Sequence, residues 1–213
     1  MKLKTLMTTA LIGAFLATPS LATQFEKTWK FSVLLDGSEI GYHTFRVTGD
    51  ETEKRVSSEA RFDVKFLFIN AFRYRHVNDE RWVNDCLYEL DASTDSNGKR
   101  FEINGEATPA GFIVEANSRE DRLPQCVMTF AYWNPDFLRE ERLLNPQSGE
   151  YLDIRVEELQ PQSIRVRGED VPAQVFSVSA KETDLKLWYS EQGEWLALES
   201  LAKGGRVIRY ELT

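Results

Sequence analysis

The sequence predicts a mainly β protein: a curled antiparallel meander sheet or half-open barrel, with one short helix packed on its concave face. Three observations carry this. Apolar residues recur at every second position along most of the chain, the period of a strand with one buried face. Gly- and Asn-containing turns separate these runs at hairpin spacing. Only one stretch, residues 134–146, opens with a helix start.

The elements follow in order. Trp29, Phe31, Val33 and Leu35 alternate with polar Lys30 and Ser32 in a first strand. Asp36-Gly37 turns the chain into a second strand, with His43, Phe45 and Val47 on one face. After Gly49-Asp50, Val56, Ser58, Ala60, Phe62 and Val64 alternate, and residues 66–69 form a continuous apolar run. A long strand over 72–84 places Phe72, Tyr74, His76, Asn78, Glu80 and Trp82 on one side. Arg73, Arg75, Val77, Asp79 and Arg81 lie on the other. Residues 87–94 form the next strand, closed by the strong hairpin signal Asn97-Gly98. Phe101 and Ile103 predict a short strand that ends at a second such signal, Asn104-Gly105. Residues 112–116 make another.

The helix is expected next. Asn134 is suited to N-cap, Pro135 at the first helical position loses no bond, and Asp136 puts negative charge at the positive end of the helix dipole. Asn145-Pro146 would end it, because the residue before proline avoids the α region. Beyond it, residues 151–159 alternate and Pro161 is expected to break that strand. Short and long strands over 164–166 and 171–180 precede three final ones, joined by Glu191-Gln192-Gly193 and Lys203-Gly204-Gly205.

The N-terminus bounds the compartment. Lys2 and Lys4, an apolar stretch over 6–17 and the small-residue site Ser20-Leu21-Ala22 have the pattern of a cleavable export signal. Residues 1–22 are therefore expected to be a signal peptide, and 23–213 a single β-rich domain with a periplasmic location. The apolar stretch is too short to span a bilayer. In an exported chain the two cysteines, Cys86 and Cys126, are expected to form one disulfide. A net charge of −8 argues against nucleic acid as a partner.

Motifs for chemistry are sparse. The sequence contains no G-x-S-x-G, P-loop, G-x-G-x-x-G or H-E-x-x-H pattern, so no catalytic residue, cofactor or metal site is assigned. His43 and His76 are the only histidines and are expected to be structural. The row Tyr74, His76, Asn78, Glu80 is the best candidate for acid–base work. Its plainer reading is a solvated outer strand face, with the arginines of that strand pairing acids across strands.

Several stretches also carry a family resemblance. These are Trp29-Lys30-Phe31-Ser32-Val33 with Asp36-Gly37 and Ile40-Gly41-Tyr42, Leu187-Trp188-Tyr189-Ser190, Gly193-Glu194-Trp195, and the run from Gly205 to Leu212. With the export signal, they resemble an uncharacterised family of proteobacterial periplasmic proteins, a domain-of-unknown-function group. The architecture is also similar to that of outer-membrane lipoprotein carriers, which hold acyl chains in a half-open barrel lined by aromatics. The matching residues are turn and strand residues, so the resemblance implies a fold and no catalytic residues.

The chain has 13 Phe, 7 Tyr and 5 Trp, more rings than a minimal core needs. The expected function is therefore non-enzymatic binding of a lipid or other apolar ligand in envelope lipid handling. Phe130, Tyr132, Trp133 and Phe137 would line the pocket. Two alternatives stand beside it: a cell-envelope interaction or assembly module using a sheet edge or residues 66–69, and an enzyme using His76 and Glu80.

Overall fold

Strand periodicity extends through almost the whole chain because nearly every segment buries one face. The computed structural model describes residues 23–66, 69–181 and 183–213. The expected signal peptide, and residues 67–68 of the apolar run, lie outside the described residues.

The first eight strands are β1 (Phe25–Leu35), β2 (Ser38–Gly49), β3 (Glu53–Phe66), β4 (Ile69–Val83), β5 (Cys86–Ser96), β6 (Lys99–Thr108), β7 (Gly111–Ala116) and β8 (Arg119–Leu123). Six more follow: β9 (Arg142–Leu144), β10 (Tyr151–Val166), β11 (Glu169–Ala180), β12 (Thr183–Tyr189), β13 (Trp195–Leu201) and β14 (Val207–Leu212). They form one 14-stranded sheet in the order β8-β7-β6-β5-β4-β3-β2-β1-β14-β13-β12-β11-β10-β9. All neighbours are antiparallel. The chain starts mid-sheet, walks to the β8 edge, crosses to the β9 edge, and walks back until β14 pairs with β1, Val33 opposite Tyr210. The sheet is not closed into a barrel: β8 and β9 remain unpaired with each other.

The crossing segment between β8 and β9 fills the gap between those edges. Its backbone bonds to both wings: Leu87 N–H donates to Val127 O at 3.0 Å, Phe112 N–H to Pro124 O at 3.1 Å, and Leu144 N–H to Met128 O at 2.9 Å. Val127, Met128, Ala131 and Phe137 are buried in the same apolar cluster as Trp29, Phe31, Trp82, Phe112 and Trp195. The disulfide Cys86–Cys126, with Cα atoms 4.9 Å apart, ties this segment to the start of β5.

Three local expectations are corrected. The helix is a single 3₁₀ turn, Pro135–Arg139, and the described residues contain no α-helix. Its start is as read: the Asn134 side chain accepts from Asp136 N–H at 3.1 Å. It stops at Glu140, which is extended, because Arg142–Leu144 pair with Tyr151–Asp153 and bury Leu143 and Leu144 completely. A segment this short gains too few helical bonds to outweigh that pairing.

Asn104-Gly105 is no turn either, since β6 runs through it and turns at Pro109-Ala110. Gly105 is there for close approach. A Cβ at this position would lie 2.5 Å from the Phe112 ring, itself fully buried. Gly105→Ala should therefore cost about 1–3 kcal/mol as an overpacked core. A urea midpoint equal to that of the parent would contradict this.

Pro161 likewise breaks nothing. β10 passes through it, and the register with β11 shifts between Leu159 and Gln162, so the proline sits in a bulge where no ladder donor is required. By contrast Asp36-Gly37 and Asn97-Gly98 are turns as read, each with both residues at positive φ.

Candidate functional site

Alternation gives β4 two faces, and the structure turns the polar one inward. His76, Asn78 and Glu80 are 3%, 5% and 6% exposed. The expectation of a solvated outer face is thus overturned for this row. It holds for the opposite face, where Arg75 pairs with Asp63 at 3.0 Å and Arg81 with Glu53 at 2.9 Å. The arginines take the water-facing side because a guanidinium costs far more to bury than an amide or imidazole. A usable signal was present in the sequence: the polar row is bracketed on its own face by Phe72 and Trp82.

The row faces a cavity of about 330 Å³ enclosed by the curled sheet. β2 and β3 contribute His43, Phe45, Ser58 and Phe62, β4 contributes Phe72 to Glu80, and β14 contributes Ile208 and Tyr210. The crossing segment supplies Thr129, Phe130, Tyr132 and Trp133. Three of the four residues expected to line a pocket therefore do so. The fourth, Phe137, is fully buried behind them, edge-on to Tyr132 with centroids 5.8 Å apart.

The cavity is graded along β4. Phe72, 37% exposed, stands at the outer end, where the Tyr74 hydroxyl donates to Gln147 Oε1 at 2.7 Å. Glu80 stands at the buried end. Its Oε1 accepts from Asn78 Nδ2 at 2.9 Å and Thr129 Oγ1 at 3.1 Å, and its Oε2 from Trp82 Nε1 at 2.8 Å. Burial pushes the Glu80 carboxyl upward, and these three donors pull against that shift.

His76 and His43 lie in one row, both opposite Ala60 of β3. Burial lowers His76 to about 4, while the ring shares a 2.9 Å hydrogen bond with Thr94 Oγ1. Burial, with His76 nearby, lowers His43 to about 3. Both imidazoles are neutral at pH 7. Burial likewise raises the Tyr74, Tyr132 and Tyr210 phenols, so these remain protonated.

Among the described residues, four buried side-chain polar atoms lack a partner, and three of them belong to residues lining this cavity: His43 Nε2, Asn78 Oδ1 and Trp133 Nε1. A larger concavity of about 960 Å³ lies on the outer face of β2–β8. It is lined by Arg46, Arg55, Arg81 and acids including Asp79, Glu89 and Glu106. Its ionic groups are exposed and partly paired with one another, as Arg81 is with Glu89 at 3.1 Å. Among the described residues, no unpartnered buried atom belongs to its lining, so volume alone does not make it the better site.

The geometry does not join His76 and Glu80 into an acid–base pair. Four residues apart on one strand, they are about 14 Å apart along it. Each is bonded to other partners. No cluster of three or more metal-ligating side chains occurs among the described residues. No helix among them is long and apolar enough to cross a membrane.

The fold and cavity define a β-barrel-like protein with an interior pocket. Residues 31–213 match the family described as domain of unknown function DUF6134, and the chain belongs to that family. No curated protein matches the chain. It is similar to the crystal structure of a beta-barrel-like protein of domain of unknown function DUF1849 from Brucella abortus, with a TM-score of 0.62 and 8% identity. That similarity covers 91% of this chain and 96% of the other. At such identity the likeness is one of fold.

Proposed function

We propose that this protein is a non-enzymatic binding protein that holds a small amphipathic molecule, a short lipid or similar compound, inside the curled sheet. One observation carries the reading: three buried polar atoms without partners belong to residues lining a cavity whose wall also holds Phe45, Phe62, Phe130, Tyr132 and Tyr210. Each unsatisfied group costs about 1–3 kcal/mol, and a ligand with polar groups at one end would recover that cost. The volume is near the small end of the roughly 300–1,000 Å³ of small-molecule sites, which favours a compact ligand over a long acyl chain.

The export signal and the Cys86–Cys126 disulfide support a periplasmic setting, where such a bond persists. Envelope lipid handling is the role we assign on that basis. The test is native mass spectrometry of the protein purified from the exported fraction, before and after organic extraction. One small molecule per chain is expected, and the Ser58→Leu variant, which pushes bulk into the cavity, should lose it. A wild-type protein that stays empty against a panel of small amphiphiles would refute the reading.

A further inference from the structure

We propose that the ligand is an organic cation, an ammonium group on an apolar body, with the ammonium held at the Glu80 end of the cavity. This rests on the binding reading above and names the chemistry it selects.

The argument is one of charge and acceptor geometry. Glu80 is the only carboxylate among the described lining residues, and none of those residues is Lys or Arg. The three groups that bond Glu80 are neutral donors, so no counter-ion stands beside the carboxylate. Oε1 takes two of these bonds and Oε2 only one, which leaves an acceptor position on Oε2 unfilled. Asn78 turns its amide nitrogen to Glu80, so its Oδ1 stays free, buried and without a donor.

The walls agree with the same sign. Phe130, Tyr132 and Trp133 come from the segment that sets Thr129 against Glu80, and ring faces attract a desolvated cation. An anionic head would instead meet the Glu80 carboxylate with no cationic lining residue to offset it. The two histidines supply no positive charge at neutral pH. A buried carboxylate with neutral donors but no counter-ion is costly to ionise, and a cation offsets that cost as a hydroxyl or second carboxyl would not.

The test uses three probes of nearly equal size, 2-phenylethylammonium, 2-phenylethanol and 3-phenylpropionate, titrated calorimetrically into the full mature chain at pH 7.5. The cation should bind at least about ten-fold more tightly than the alcohol, with the carboxylate weakest. Glu80→Gln should collapse the cation's advantage over the alcohol. Should that variant fail to fold, the wild-type ranking decides alone. If the alcohol or carboxylate binds as tightly as the cation, the charge assignment falls while the binding reading stands. If none of the three binds, the cation proposal falls, and the binding reading then rests on the wider amphiphile panel.

Discussion

Acidification from pH 6.5 towards pH 4 should destabilise the folded protein steeply, by up to about 2.7 kcal/mol per pH unit from His43 and His76 together. The sign follows from burial. Each imidazole titrates near 6.5 in the unfolded chain, but near 3 for His43 and near 4 for His76 when folded. Between those values the unfolded state binds protons that the folded state refuses. Stability is therefore complete above 6.5 and is lost as the pH falls through the window.

Two other groups of residues bracket this effect. Glu80, shifted the opposite way by burial, takes up its proton first in the folded state and offsets part of the loss. The surface carboxylates Asp36, Asp50 and Glu53, held low by hydrogen bonds, add their own acid sensitivity only below their unfolded values near 4. Urea unfolding at half-unit pH steps checks the prediction. The double variant His43→Phe/His76→Asn should flatten the slope between pH 6.5 and 4.5. A parent whose stability is level across that range would contradict the inward placement of these rings.

Removing the disulfide should cost about 4 kcal/mol, the loop-closure value for a sequence separation of 40 in the chain-entropy account. Against the total of roughly 5–15 kcal/mol usual for a domain, that is a large share. The bond anchors the crossing segment where it enters the sheet, one residue from the Leu87–Val127 hydrogen bond. Phe130, Tyr132 and Trp133 follow within the next turn of chain. The Cys86→Ser/Cys126→Ser protein should thus lose ligand affinity as well as stability. Equilibrium unfolding with intact and with mutated cysteines measures the first loss, and titration with the bound amphiphile the second. A difference under about 1 kcal/mol would mean that packing alone holds the segment.

The fold was largely legible because its determinants are local. Alternation set the faces of β1, β2 and β4, and Asp-Gly and Asn-Gly fixed two hairpins through the positive φ they tolerate. With two cysteines there was a single possible pairing. Where local signals conflicted with distant partners, the partners decided. The Asn134 cap begins a helical turn, yet strand pairing at Leu143 and Leu144 ends it within five residues. Gly105 has the look of a turn and serves instead as space for Phe112.

The site was only half legible. The aromatic cluster Phe130, Tyr132, Trp133 declared itself by composition, and the structure puts it on a cavity wall. The polar row of β4 did so only through Phe72 and Trp82 on its own face, because alternation separates two faces without saying which one is inside. That choice belongs to the sheet as a whole. It curls so that Arg73, Arg75 and Arg81 reach water while His76, Asn78 and Glu80 exchange water for one another, Thr94, Trp82 and Thr129. Strands, most turns and the covalent tie follow from local residue patterns. Burial of the polar stripe is a tertiary outcome, since the desolvation cost of each group depends on partners such as Thr129 and Thr94 contributed by other segments.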